Sequence, residues 1–134
     1  MKIRPVAGTI AAAVLLGACT TVPPEPAAAP EPGDLNGTWD VSMFYAADQP
    51  PSSTVMVLEA GGDGALAGSF YGSGFEEGRW SLRGEVLAFG AVTSDASAPY
   101  SHSGRLAADG RIEGQTLSHG RDFLMIWVAE RRVE

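Results

Sequence analysis

The fold is decided by the stretch Gly37-Thr38-Trp39-Asp40-Val41-Ser42-Met43-Phe44-Tyr45. Within it Trp39, Val41, Met43 and Tyr45 alternate with a second set that is mostly polar. A period of two places each set on one face of an extended strand. The stretch therefore predicts a β-strand with one face in the core.

Seven further runs of this kind follow, separated by turns such as Gly61–Gly64, Gly72–Gly74 and Gly84–Glu85. They are Thr54–Glu59, Ala65–Tyr71, Phe75–Arg83, Val86–Thr93, Tyr100–Leu106, Arg111–Leu117 and Asp122–Arg131. No window in this part of the chain shows a helical period. Short strands joined by tight turns predict an all-β, eight-stranded antiparallel meander that closes as an up-and-down β-barrel. A flattened barrel or a two-sheet sandwich is the alternative.

The first 18 residues have the pattern of a signal peptide. Lys2 and Arg4 precede a mostly apolar run over Pro5–Ala18, which is shorter than the roughly 20 residues that span a bilayer. The run ends in Leu16-Gly17-Ala18-Cys19, which resembles the lipobox of bacterial lipoproteins. The resemblance implies that Cys19 is lipidated and becomes the first residue of the mature protein. Thr20 in place of aspartate after this cysteine implies an outer-membrane rather than an inner-membrane location.

Residues 19–33 are predicted to tether the folded domain to this anchor. Five prolines among the fourteen residues Thr20–Gly33 oppose both helix and sheet. An extended spacer of this length reaches about 40 Å. The folded domain is then residues 34–134, a size typical of a single domain.

The charge of the mature chain limits its partners. After Cys19 the chain has seven arginines, no lysine and all 16 carboxylates, a formal charge of −9. A field of this sign repels phosphate backbones and anionic headgroups. We therefore expect no nucleic-acid partner, and membrane attachment through lipid rather than through a basic surface.

The last predicted strand is apolar on both faces. Phe123, Met125 and Trp127 share one face, whereas Leu124 and Ile126 lie on the other. The outer face is therefore expected to be covered by a second copy, by the tether, by an envelope protein, or by a long loop after the first strand such as Asp48–Ser53.

Gly37-Thr38-Trp39 and the final Trp127–Arg131 resemble the calycin group of small barrels, which includes the lipocalins. The resemblance implies that Trp39 closes the barrel floor and that Arg131 stacks on its indole. A guanidinium over an indole contributes about 0.5–2 kcal/mol. The residues expected at a ligand cavity or the barrel floor are Trp39, Phe70, Phe89, Trp127 and Arg131.

Two other resemblances are local. Gly62–Phe70 and Arg79–Gly84 are similar to hairpin segments of avidin-type biotin binders, but Val41, Phe70 and Gly72 replace their polar biotin contacts, so no biotin binding is expected. Phe70-Tyr71-Gly72, Glu76-Glu77 and Phe89-Gly90-Ala91 resemble the final hairpin of transferrin-binding lipoproteins. In this chain three more strands follow those segments. Both resemblances imply a small barrel and no particular ligand.

The polar residues predict no catalytic site, no metal site and no cofactor. His102 and His119, with Asp95 or Asp122, are the only candidates for a zinc site, and their spacing does not require one. Both histidines are therefore expected to be solvent-exposed or to stabilise turns. No Gly-x-Ser-x-Gly elbow is present. Adjacent Glu76 and Glu77 point to opposite faces of a strand, so they are not expected to form a carboxylate pair.

Three functions are consistent with these patterns. The favoured one is a non-catalytic binding or interaction module of the cell envelope, held at the membrane by lipid. The alternative is a lipocalin-like carrier of a small apolar ligand, although a filled interior is favoured over a hollow one. An enzyme is the remote third.

Overall fold

The computed structural model describes Gly8, Ala13 and residues 17–25 and 28–133, so the predicted signal peptide lies largely outside the described residues. Within them, no helix is long and apolar enough to cross a bilayer. Nine strands are present in this part of the chain: β1 (Gly37–Phe44), β2 (Ser52–Ala60), β3 (Leu66–Phe70), β4 (Ser73–Gly74), β5 (Glu77–Arg83), β6 (Val86–Ser94), β7 (Pro99–Leu106), β8 (Ile112–Ser118) and β9 (Leu124–Arg131). The helical segments described are single 3₁₀ turns at Pro32–Leu35 and Gly62–Gly64.

The nine strands form one antiparallel sheet in the order β4-β3-β2-β1-β9-β8-β7-β6-β5. Every strand thus pairs with its neighbours in sequence, except that β1 pairs with β9 and β4 does not pair with β5. The predicted all-β antiparallel meander is confirmed, and all eight predicted strands are present. The ninth strand, β4, is an addition of two residues.

One predicted turn is displaced in the structure and another is confirmed. Tyr71 and Gly72 both have positive φ, 54° and 80°, and form a two-residue hairpin turn in which Phe70 pairs with Ser73. The turn predicted at Gly72–Gly74 is therefore displaced, and Ser73–Gly74 is strand. The turn predicted at Gly84–Glu85 is confirmed: Arg83 pairs with Val86, and Gly84 has a φ of 61°, which suits the first central position of a type II′ turn.

The sheet curls into a half-barrel whose two edges approach each other at one place. A single isolated bridge joins Ala65, just before β3, to Arg79 in β5. Next to it the backbone of Gly78 packs against Leu66, where an added Cβ would lie 2.2 Å from the Leu66 carbonyl oxygen. The predicted closure into a complete barrel is therefore replaced by close contact without a continuous ladder along this seam.

The core lies on the concave face of the sheet. Fully buried side chains include Trp39, Trp127, Leu35, Met43, Met56, Leu58, Leu87, Ile112 and Val41. On the convex face, Leu124 and Ile126 of β9 are 57% and 60% exposed. The alternative in which the loop after β1 buries this face is therefore wrong. Phe44 pairs with Ile126, and Leu117 pairs with Leu124, so the exposed apolar residues are contiguous.

Candidate functional site

One end of the curled sheet, called the closed end, is sealed by the first 3₁₀ turn and the last strand. The Trp39 indole N–H donates to the carbonyl of Leu35 over 2.9 Å, and both residues are fully buried. The Arg131 guanidinium lies over the Trp39 ring, 4.4 Å from its centroid, and donates to the carbonyls of Asp34 and Asn36. The stacking of Arg131 on Trp39 expected from the sequence is confirmed.

Above the closed end, a layer of aromatic side chains fills the interior. Register places Phe89, Gly104, Gly114, Trp127 and Met43 side by side across five neighbouring strands. The indole of Trp127 lies over Gly114, where an added Cβ would be 2.2 Å from the ring, and Phe89 lies over Gly104. The glycines in this layer therefore make room for the two aromatic rings, and the interior is filled at this level.

Beyond this layer the interior opens into a cavity of about 340 Å³. This other end, called the open end, is formed by the C-terminal ends of β1, β3, β6 and β8 and the N-terminal ends of β7 and β9. The residues that line the cavity combine apolar, aromatic and polar side chains: Met43, Tyr45, Phe70, Tyr71, Ser73, Thr93, Ser94, Asp95, Tyr100, His102, Thr116, Arg121, Phe123 and Met125.

A hydrogen-bonded chain of four buried side chains runs from beneath the cavity into its wall. The Trp127 indole N–H donates to the Thr116 hydroxyl over 3.0 Å. The same hydroxyl lies 2.8 Å from His102 Nδ1, and His102 Nε2 lies 2.8 Å from the Thr93 hydroxyl. Thr93, His102 and Thr116 are each at most 4% exposed. Both ring nitrogens of His102 are therefore held by hydroxyl groups.

Burial keeps His102 neutral. Desolvation lowers its pKa from 6.5 to about 4, because a charged imidazolium is disfavoured away from water. The ring also stacks on Phe70, with centroids 4.4 Å apart and planes inclined by 24°. Phe70 in turn lies 5.4 Å from Trp127, so the cavity floor is a continuous aromatic surface.

The rim of the cavity carries one carboxylate and one guanidinium. Asp95 accepts hydrogen bonds from the Ser97 hydroxyl and amide and from the Tyr100 hydroxyl, at 2.5, 2.8 and 2.6 Å. These bonds, that of the Ser97 hydroxyl first, hold the pKa of Asp95 far below its usual range. Arg121 lies 3.7 Å from Asp95, and its side chain is 59% exposed. The carboxylate is thus well satisfied, whereas the guanidinium is mostly solvated.

Three tyrosines cluster at the open end. Desolvation raises the pKa of Tyr45, and its neighbours Tyr71 and Tyr100 raise it further. Tyr71 is 65% exposed and has the left-handed backbone conformation, with φ 54°. A side chain other than glycine, asparagine or aspartate in this region costs about 1–2 kcal/mol. The turn therefore holds a large aromatic ring at the cavity opening at a cost to folding.

The residues expected at a ligand cavity or the floor are distributed over three levels. Trp39 and Arg131 lie at the closed end, Phe89 and Trp127 form the layer beneath the cavity, and Phe70 lines the cavity itself. Cys19, the predicted lipidation site, is a free and exposed cysteine.

Sequence reasoning did not identify the polar wall made by Thr93, His102 and Thr116. His102 was expected to be exposed or part of a turn, and this was wrong. The signal was available in the alternation along β7, since His102 shares a face with Tyr100 and Leu106 and the more polar Ser101, Ser103 and Arg105 lie on the other. His119, by contrast, is exposed and lies 2.7 Å from the Ser101 hydroxyl. Ser101 and His102 are adjacent on β7, so the two histidines lie on opposite faces of the sheet.

Comparison with known proteins adds no functional assignment to this geometry. No protein-family model, curated protein sequence or solved structure matches the chain.

Proposed function

We propose that this protein is a non-catalytic, lipid-anchored binding module of the cell envelope that holds a small, largely apolar molecule at its open end. The observation that carries the proposal is the cavity of about 340 Å³ above the Phe89–Trp127 layer. Ligand sites are concave, mostly apolar, and typically enclose about 300–1,000 Å³ with a few well-placed polar groups. This cavity has that size and that composition.

The two ends of the sheet have different roles in this proposal. The closed end is sealed by Leu35, Trp39 and Arg131, which are held by hydrogen bonds and a cation–π contact. The open end is bordered by Tyr45 and Tyr71, which are 55% and 65% exposed. A ligand would therefore enter past the tyrosines and rest on Phe70 and the aromatic layer below.

The polar wall favours binding over catalysis. A general base needs a ring nitrogen within hydrogen-bond reach of the proton that it removes. Both nitrogens of His102 already contact threonine hydroxyls, and its low pKa makes it a weak base. His102 therefore serves to position hydroxyl groups, and we assign no catalytic residue, metal or cofactor.

The proposed anchor would connect to the domain at the end opposite the cavity. The tether joins the domain at Pro32–Leu35, which seals the closed end. With acyl chains on Cys19, the cavity would face away from the point of attachment. A spacer of about 40 Å then allows the open end to reach molecules in the space beside the membrane.

Native mass spectrometry of the mature chain without acyl groups, Thr20–Glu134, secreted and purified without detergent, tests the proposal. A mass increment that is lost on denaturation supports binding and identifies the ligand. For protein isolated empty, the apolar dye N-phenyl-1-naphthylamine should gain fluorescence, and Phe70→Ala should reduce its binding. The absence of both a bound molecule and dye binding would contradict the proposal.

A second candidate function is contact with another protein through the convex face. Phe44, Leu117, Leu124 and Ile126 form a contiguous apolar patch on β1, β9 and β8, and each is at least 44% exposed. Exposed apolar patches on soluble domains are typical of interaction sites. Sedimentation of the unlipidated chain at rising concentration tests self-association, and Ile126→Glu should abolish any dimer. If the wild-type chain and Ile126→Glu were both monomeric, self-association would be excluded, and contact with a different envelope protein would remain as the form of this second candidate function.

A further inference from the structure

We infer that the Thr93 hydroxyl donates a hydrogen bond to the occupant of the cavity, so that the site selects apolar molecules with one neutral acceptor oxygen. This inference rests on the proposed function and narrows its ligand class to ketones, aldehydes, esters and amides. It follows from counting the donors in the buried chain Trp127, Thr116, His102 and Thr93.

The four side chains have one hydrogen more than the bonds between them can use. Neutral His102 carries one N–H, each threonine carries one O–H, and Trp127 carries one N–H that can only donate. The four groups are joined by three hydrogen bonds. One donor hydrogen is therefore left over, whichever ring nitrogen of His102 is protonated.

The surplus hydrogen belongs to a threonine hydroxyl. If Thr116 donates to His102 Nδ1, then Nε2–H donates to Thr93 and the Thr93 hydrogen is free. If Nδ1–H donates to Thr116, the free hydrogen is that of Thr116. The first arrangement is head-to-tail, because Thr116 accepts from Trp127 and donates to His102, which in turn donates to Thr93, and such chains strengthen each of their bonds. We therefore assign the Nε2–H tautomer to His102 and the surplus hydrogen to Thr93.

This hydrogen has no partner in the part of the chain that the structure describes, where the only side-chain hydrogen bond of Thr93 is to His102. Thr93 lines the cavity and is 4% exposed. Leaving a buried donor unsatisfied costs about 1–3 kcal/mol. An empty cavity would satisfy it with water, and an apolar occupant without an acceptor would displace that water without replacing its bond.

The charges around the cavity favour a neutral acceptor over an anion. Asp95 is the carboxylate at the rim, and its low pKa keeps it charged. Arg121, the cation at the rim, lies 3.7 Å from Asp95 and is mostly solvated. A carboxylate placed beside Thr93 would thus be desolvated without a buried cation to pair with.

Two matched pairs of probes test the inference on the unlipidated mature chain. Acetophenone is compared with ethylbenzene, and 2-acetylnaphthalene with 2-ethylnaphthalene, so that each pair differs in a carbonyl in place of a methylene. Binding is measured by ligand-observed NMR with competition. We expect the ketone of each pair to bind about three- to tenfold more tightly, relative to its transfer from water to octanol, as one neutral hydrogen bond would give.

Variants of Thr93 identify the donor. Thr93→Val should remove the preference, because the remaining His102 N–H would lie behind the valine methyl groups, and Thr93→Ser should retain it. Thr38→Val, on the convex face, is the control and should change nothing. The ¹⁵N shifts of His102 should show the Nε2–H tautomer.

The outcomes separate this inference from the proposed function. Equal binding within each pair, persistence of the preference in Thr93→Val, or an Nδ1–H tautomer would overturn the inference and leave the binding function intact. Failure of all four probes to bind would overturn the proposed function, and the inference with it.

Discussion

The guanidinium of Arg131 lies 4.4 Å above the ring of Trp39, and the two residues are joined across the ladder between β1 and β9. The same guanidinium holds the carbonyls of Asp34 and Asn36, and the Trp39 indole holds Leu35. The first and last segments of the domain are thus joined through one pair of side chains. The closed end should therefore be a major determinant of stability.

Replacing Trp39 should remove much of the free energy of unfolding. Trp39→Ala empties a fully buried site and removes the bond to Leu35, and the expected loss is about 3–5 kcal/mol. Urea unfolding followed by the fluorescence of the remaining tryptophans measures it. A loss below about 1 kcal/mol would contradict the importance of Trp39 at the closed end.

Arg131 should depend on its planar guanidinium rather than on its charge alone. Arg131→Lys keeps the charge but loses the stacking and the paired carbonyl contacts, and we expect a loss of about 1–2 kcal/mol. Arg132→Lys is the matched control, because Arg132 pairs with the exposed Asp40 and such pairs contribute about 0–1 kcal/mol. Equal effects of the two variants in urea unfolding would mean that stacking on Trp39 adds little.

The free energy of unfolding should decrease as pH is lowered through a window set by His102. Its pKa is about 4 in the folded protein and near 6.5 when free. Between these values the unfolded chain binds a proton that the folded chain does not, so stability decreases as pH falls from about 6.5 to about 4. The stabilisation is fully present above this window and amounts to about 3 kcal/mol. Protonation of Asp95 acts only at lower pH, because its pKa is lowered from 3.8.

A pair of histidine variants distinguishes this effect from general titration. In His102→Gln the dependence of unfolding free energy on pH should flatten between about 4 and 6.5. His119→Gln changes an exposed side chain on the other face of the sheet and should keep the original slope. If His119→Gln flattened the pH dependence of the unfolding free energy and His102→Gln left it unchanged, His102 would not be the buried neutral group.

Tyr71 should strengthen ligand binding while its left-handed backbone conformation lowers the free energy of unfolding. Tyr71→Asn relieves the left-handed conformation at φ 54°, and we expect a gain of about 1 kcal/mol in unfolding free energy. The same change removes an aromatic ring from the cavity opening and should weaken binding of the naphthylamine dye. Tyr45→Asn, without positive φ, is the control and should weaken binding with no gain in stability. If Tyr71→Asn gained stability and bound the dye as tightly as the wild type, Tyr71 would not be part of the binding site.

Cys19→Ser tests the proposed anchor. Without the thiol no acyl chain can be attached, and the protein should no longer fractionate with membranes. Immunoblotting of membrane and soluble fractions measures this, with the wild-type chain in parallel. Retention of the variant in the membrane fraction would show that something other than lipid on Cys19 holds the protein there.

The sequence by itself determined eight of the nine strands, most of their antiparallel pairing and the contact at the closed end. Alternation in Gly37–Phe44 has a period of two, and this local property determines which side chains face the core. Short turns such as Gly84–Glu85 determine that neighbouring strands pair antiparallel. Trp39 and Arg131 were identifiable because Gly37-Thr38-Trp39 and the final strand resemble those of calycins, in which an arginine stacks on this tryptophan, and that contact is present.

Tertiary structure alone decided where the interior is filled and where it is open. Thr93, His102 and Thr116 are nine and fourteen residues apart, and only the registers of β6, β7 and β8 bring them together. Likewise Trp127 fills the space above Gly114 because the pairing of β8 with β9 sets them side by side. The glycine content of the sequence does not predict whether the space over a given glycine is filled by an aromatic ring or left open as a cavity. That depends on side chains from strands that are distant in the sequence.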